Sequence, residues 1–449
     1  LIEAARDDAA AAAALVDLVG ECWFDFPASG QLLGDLLEHA DPMLLAQIGR
    51  ASAAVVDIDD LNAAPVAQGF FSDLIGRLQR ACALDPTNAE LAAALASAAH
   101  RGGRSFDDVA ESAFAAAIVL QPDHPNHRYN RGLFYKTRGR FGESVEDNRQ
   151  AITLGIQTDG AKWNMGIAAT ASGQGTLALE TFRGLGLKLE LSPEGRAEGT
   201  FPRCKLRVAE RPIAERGPQQ DDPGAEETVW LERVGAAHGI VRSVLYRDLG
   251  VDYGDVVVFD GAPITQHEVG GRVVPVFPHL MTLERRHYQR YAFAGEQREP
   301  RQDVVASKHL PADSVLYSHT EQVVFFCKTC ANAGCSDEGH DAEREQHTNV
   351  LGALMAPREI PPAELLAALG RALDQTPALR VACPELSRAA GAYDEEEQRR
   401  FEEWAARAAP EGSINTFSGL RSRCTTSASW AAASAAPISR AQRKAWAAG

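Results

Sequence analysis

The chain is short of cationic side chains. Its 45 Lys and Arg stand against 61 Asp and Glu, leaving a formal net charge of −16. Nucleic acids and anionic membrane surfaces are held by clustered Lys and Arg, so neither is expected as a partner. There is no run of about eighteen apolar residues, the length that marks a membrane-spanning helix. The start has Asp7 and Asp8 ahead of Ala9–Ala14 and lacks the basic stretch of a secretory signal. A disulfide framework is missing too. Cys22, Cys82, Cys204, Cys383 and Cys424 are scattered singles, and only Cys327, Cys330 and Cys335 cluster. This usage predicts a reducing, cytoplasmic setting with one local metal or redox site. A glycine-rich phosphate loop, a nucleophile elbow and an HExxH helix are all absent from the sequence.

What is present is length, alanine and a period. The 449 residues allow roughly three domains. Alanine abounds near both ends and favours helix. In residues 1–50, Leu15, Leu18 and Val19 share one helical face, as do Leu32, Leu33, Leu36 and Leu37. After Phe70 a repeat begins. Ala83-Leu84-Asp85-Pro86 reads as a helix end with a proline stop, and Leu120-Gln121-Pro122 repeats it. Asn130 and Asn164 lie 34 residues apart, as do Gly132 and Gly166, Gly139 and Gly173, Ser144 and Ala178, and Glu146 and Glu180. Five coincidences in one register mark an internal repeat.

Each unit reads as two helices, Tyr129–Lys136 with Phe141–Leu154, then Trp163–Ala171 with Thr176–Leu189. Gly132 and Gly166 allow the second helix to approach the first. Gly139 and Gly173 give the turn its backbone freedom, and Ser144 and Ala178 keep the crossing small. On Gly132, Tyr135, Gly139, Phe141, Ser144 and Ala151, and again on Gly166, Gly173, Ala178 and Phe182, the segment 88–191 resembles the tetratricopeptide family. A weaker unit over Ala89–Pro122 carries Phe106, Ala110 and Ala117. Arg128 and Arg131 depart from the family pattern where large apolar residues are usual, and Ala169 replaces the usual Tyr. The resemblance implies a groove that takes a peptide, lined by the first helix of each pair. It lands on Tyr129, Leu133 and Lys136, and on Trp163, Ile167 and Thr170. Packing between neighbouring repeats is the alternative for Tyr129 and Trp163. Arg128, Arg131, Arg138 and Arg140 read either as a receiver of an acidic peptide or as a solvated face.

Composition then shifts. Residues 206–226, with Pro212, Gly217, Pro218 and Gly224 among charges, read as a linker. Val229–Val234, Gly239–Tyr246, Asp255–Phe259, Arg272–Phe277, Gln289–Phe293, Ser314–Tyr317 and Gln322–Phe326 read as short strands. Helices return at Pro361–Leu373 and Glu395–Ala408. The fold class expected is α+β multidomain. It comprises an N-terminal helical region (1–69), tetratricopeptide-like repeats (70–205), the linker (206–226), a β-rich domain (227–375), C-terminal helices (376–409) and a Ser- and Ala-rich mobile tail (410–449).

Within the β-rich domain, Cys327, Cys330, Cys335 and His340 have the spacing C-x2-C-x4-C-x4-H. Two cysteines three apart bite one ion from a tight turn, and Gly334 and Gly339 let the chain fold back to close a tetrahedron. Three thiolates and an imidazole suit zinc in a structural role. His347 and His319 are alternative fourth ligands. The competing reading is a thiol oxidoreductase using Cys327 and Cys330, which would need a helix immediately afterwards. Asp252, Asp255 and Asp260, the pair His267-Glu268 and the run Glu284–His287 are possible acids and bases, or simply turn and strand-end residues. The function expected is a non-enzymatic adaptor or scaffold that binds protein through the repeats and carries a zinc-stapled second domain. The alternative is an enzyme in residues 225–375, with the repeats as its docking arm.

Overall fold

A computed structural model describes residues 37–38, 40–55, 65–269, 271–319 and 349–408. They form two compact units. The first runs to Gly199 and takes in Arg211–Ala225 and Gly235–Ala237. The second holds Thr200–Glu210, Glu226–Val234 and the chain from His238 onward.

The first unit is built from antiparallel helix pairs. α1 (Pro42–Val55) and α2 (Pro65–Leu84) precede α3 (Ala89–Gly102) and α4 (Asp107–Leu120). α5 (Pro125–Thr137) and α6 (Phe141–Thr153) follow, then α7 (Gly160–Ala171) and α8 (Gly175–Arg183). The second helices of the last three pairs start 34 residues apart, at Asp107, Phe141 and Gly175. This is tetratricopeptide-like architecture. Asn88 caps α3 by accepting the N–H groups of Glu90 and Leu91. The turns close identically. Gly139 (φ +74°) donates to Lys136 O while Arg140 N–H reaches Tyr135 O. Gly173 (φ +73°) donates to Thr170 O while Gln174 N–H reaches Ala169 O. This is the left-handed helix ending that glycine permits. At Gly166 a Cβ would lie 2.6 Å from the Phe182 ring of α8, so the close approach expected of that glycine is real. The core of the first pairs collects Leu44, Ile48, Phe71, Leu74, Leu91 and Phe114, with Phe134 from α5. A two-stranded ribbon, β1 (Glu190–Leu191) with β2 (Ala197–Glu198), follows α8.

The span expected to be a linker has structure throughout. Cys204–Ala209 is a strand of the second unit. Arg211–Ala225 lies along the first unit as a belt over its inter-helix turns. The Asp221 carboxylate accepts the backbone N–H of Arg104 at 3.0 and 3.1 Å. Arg104 is 8% exposed, and its guanidinium donates to Thr137 O at 2.9 Å and to Ile213 O at 2.5 Å. Pro, Gly and charge mark irregular backbone in a sequence, but they do not distinguish a free tether from a strap with its polar groups paired.

The second unit has two sheets. β3 (Cys204–Ala209), β4 (Glu226–Arg233), β5 (His238–Val241), β6 (Val256–Phe259) and β8 (Arg272–Glu284) pair in that order. β8 returns to β3 in a parallel pairing that closes the ring, and β7 (Thr265–Val269) hangs on β8 as a hairpin. Inward residues alternate along β3, where Cys204, Leu206 and Val208 are buried. The second sheet is antiparallel: β10 (Val315–Ser318), β11 (Asn349–Ala356), β9 (Gln289–Gln297) and β12 (Leu379–Ala382). Phe293, Val350 and Leu354 pack against Leu365 and Leu369 of a helix at Pro362–Gln375. The alternate residues Ala294 and Leu351 pack against Trp404 of the helix at Glu395–Ala408. The C-terminal helices therefore belong to this sheet and are not a separate region. Among the described residues no helix is long and apolar enough to cross a membrane.

Candidate functional site

The residues expected to line a groove fall into two groups. Tyr129, Leu133 and Trp163 are half-buried. The Tyr129 hydroxyl lies close over Gly160 at the start of α7, and the Trp163 ring meets Phe182 at 5.4 Å. Both rings therefore pack between helices and keep one side toward solvent. Lys136, Ile167 and Thr170 are buried. Lys136 Nζ donates to Asn164 Oδ1 at 2.9 Å and ties α5 to α7. The Thr170 hydroxyl turns back onto Gly166 O. For these three the expectation of an accessible groove wall is corrected. Lys136 sits on the face that the next repeat covers, and Ile167 and Thr170 are buried within the last pair, which the repeat register alone does not reveal.

The arginines are neutralised within the array. Arg131 makes a two-point contact with Asp147 at 2.6 and 2.8 Å, and Arg128 stands 3.9 Å from the same carboxylate. Arg138 pairs with Asp107, and Arg140 with Glu111 and Glu143. Arg140 also stacks on the Tyr135 ring at 4.2 Å. With their forks already filled, Arg131, Arg138 and Arg140 are poor receivers for an acidic peptide. Beneath them His100 is buried, its Nε2 3.3 Å from the Thr137 hydroxyl. Burial, then the charge of Arg138, holds its pKa well below the ordinary histidine value.

An open feature of the array lies elsewhere among the described residues. α2 and α4 both pack on α3 and leave a cleft of about 520 Å³ above it. Leu95, Val109, Ala113 and Leu120 give it apolar walls, and Cys82 contributes a half-buried thiol whose pKa is raised by burial and by Asp85. Asp85 and Asp108 stand exposed at the rim. Hydrogen bonds from Thr87 and Asn88 hold the Asp85 carboxyl below the usual range. Sequence reading missed this cleft. Its one sequence signal is the pair of helix ends in which large apolar side chains precede the proline turn. Leu84 and Val119 there are 87% and 78% exposed.

In the second unit the suspected acids and bases are held in hydrogen bonds and ion pairs. Asp252 accepts the N–H groups of Leu245 and Tyr253 and pairs with Arg290 at 2.6 Å. Asp255 accepts those of Asp252 and Arg286, and Asp260 that of Gly261. Burial raises the Asp255 pKa, partly opposed by those backbone bonds. His267 is buried, with Lys205 Nζ 3.2 Å from its Nδ1. Glu284 pairs with Arg286 at 3.3 Å. His319 contacts the rings of Tyr246 and Tyr317, and burial pushes its pKa down to about 4. Among the described residues no three metal-ligating side chains gather. Cys327, Cys330, Cys335, His340 and His347 lie outside the described residues, as do the strand expected at 322–326 and the tail at 410–449.

No family model and no curated protein matches the chain. Among solved structures it is similar to a crystal structure of MamA, with 22% identity over 35% of this chain and 85% of that one and a TM-score of 0.28. Another is TTC0263, a thermophilic TPR protein in Thermus thermophilus (17% identity, 35% and 79% coverage, TM-score 0.27). A third is MamA 41-end from Desulfovibrio magneticus RS-1 (16%, 38% and 92%, TM-score 0.27). The repeat architecture rests on the helix pairs and turns described above.

Proposed function

We propose that the protein is a binding adaptor whose helical array holds a peptide or protein segment, in a cytoplasmic setting. The observation that carries this reading is the apolar cleft on α2, α3 and α4, a concavity of the helical repeat scaffold among the described residues. The half-buried Tyr129, Leu133 and Trp163 offer a second surface of anchor-type side chains. Selection of a random peptide library on the full chain tests the reading. Enriched peptides should bind the wild type and lose affinity when Leu84→Asp and Val119→Asp, or Leu133→Asp and Trp163→Ala, are introduced. Failure to enrich any peptide on the folded chain would refute it.

The cysteine cluster belongs to the same proposal. Its spacing and donor set favour one structural zinc held by Cys327, Cys330, Cys335 and His340, stiffening the second unit. Elemental mass spectrometry of protein purified without chelator should find about one zinc per chain. Metal-free protein whose thiols oxidise and reduce reversibly would instead favour the dithiol reading.

A further inference from the structure

We infer that the cleft between α2 and α4 takes an apolar peptide segment flanked by lysine or arginine; this deepens, and rests on, the adaptor reading above. The argument starts from shape. Ala92 and Leu95 of α3 form the floor, and Val109, Ala113 and Ala116 line the α4 wall. Alanines there let the backbone of an incoming segment come close, and the volume of about 520 Å³ accommodates a few apolar side chains rather than a whole domain. Leu84 and Val119 each adjoin a cleft residue in sequence, Asp85 and Leu120, and the fold leaves both in water.

Charge selects the partner. Two carboxylates, Asp85 and Asp108, stand among the residues that line the cleft, and no Lys, Arg or His does. Asp85 is pinned by the Thr87 N–H and hydroxyl and by Asn88 Nδ2, at 3.3, 2.9 and 3.2 Å, so its charge is fixed in place before a ligand arrives. A rim of this sign attracts a cationic flank and repels an acidic one. The arginines of α5 and its following turn, by contrast, are already paired within the array and offer no competing acidic-peptide site.

The test uses the full chain and two short fluorescein-labelled peptides of one leucine–alanine pattern, one flanked by lysines and the other by glutamates. Fluorescence anisotropy should show the lysine peptide binding about tenfold or more tightly than the glutamate peptide, with a preference that shrinks as salt rises. The doubly neutralised Asp85→Asn, Asp108→Asn chain should lose most of that preference while keeping its circular dichroism spectrum. Bound lysine peptide should also slow alkylation of Cys82 by N-ethylmaleimide, read by peptide mass. Equal affinity for both peptides, an unchanged Cys82 rate at saturation, or no binding of either peptide would overturn the proposal. If library selection still yields binders in any of these cases, the adaptor reading stands and only the assigned cleft chemistry falls.

Discussion

Replacing Asp221 by alanine tests whether the belt at Arg211–Ala225 is part of the array's stability. Both carboxylate oxygens of Asp221 accept the Arg104 N–H, and the same carboxylate faces a guanidinium whose pKa burial lowers to about 10. The substitution removes a charge-assisted hydrogen bond and leaves a partly buried N–H without its acceptor, a loss of about 2 kcal/mol. The neighbouring Asp222 is the internal control. Its side chain is 79% exposed, its ion pair with Arg211 spans 3.2 Å, and it accepts the Gly224 N–H at 2.9 Å in an exposed turn where water can replace it, a geometry worth about 0–1 kcal/mol. Urea unfolding followed by far-ultraviolet circular dichroism should therefore place Asp221→Ala well below Asp222→Ala. Hydrogen exchange should show the Arg104 amide losing protection. If the two variants unfold together, within about 0.5 kcal/mol of the wild type, the belt is an ornament and the reasoning is wrong.

Gly139 and Gly173 share one backbone geometry but have different surroundings. A Cβ at Gly139 would meet Ala214 O at 2.7 Å, whereas none lies within 4 Å at Gly173. Gly173→Ala should cost about 1 kcal/mol from the left-handed backbone alone, and Gly139→Ala distinctly more; equal costs in urea melts would contradict the close approach. His127 is buried and its pKa lies at about 4, lowered by burial and then by His124. The folded pKa lies below the unfolded value, so the unfolded state binds the extra proton. Stability is then full above pH of about 6.5 and falls as pH drops toward 4, by on the order of 2 kcal/mol after allowance for screening. His100 adds in the same direction. His127→Gln should flatten that slope, and an unchanged slope would count against the assignment. Cys204 and Cys383 are buried, with thiols pushed up to about 12. Alkylation of the native chain should reach Cys82 well before either, and equal rates would contradict their burial.

The helix pairs were legible because a period is a long-range statement written in local residues. The glycines that end α5 and α7 and those that sit beneath α6 and α8 recur at one spacing. Edges were less legible. The sequence reads Thr176–Leu189 as one helix, yet α8 ends at Arg183 and the chain turns away at Gly186, whose φ is +88°. β11, at Asn349–Ala356, was missed although it is the central partner of both β10 and β9. Its Gly352, Ala353 and Ala356 weaken any β signal, and a Cβ at Gly352 would meet the Tyr317 carbonyl oxygen at 1.9 Å, with the Phe293 ring at 2.9 Å. The site was least legible. Burial of Lys136 and exposure of Leu84 both depend on which helix lies opposite, and sequence spacing does not encode that.

The belt also bears on how the protein is made. Arg104 leaves the ribosome 117 residues ahead of the aspartate that satisfies its amide. At ordinary elongation rates that interval is roughly 10 s. During it, α3 to α8 can pair while the turns at Gly103 and Gly139 stay uncovered and the Arg104 guanidinium lacks Ile213 O. The nascent array is thus complete in helices before it is complete in hydrogen bonds. Its final stability arrives only when a later stretch of chain returns to lie across it.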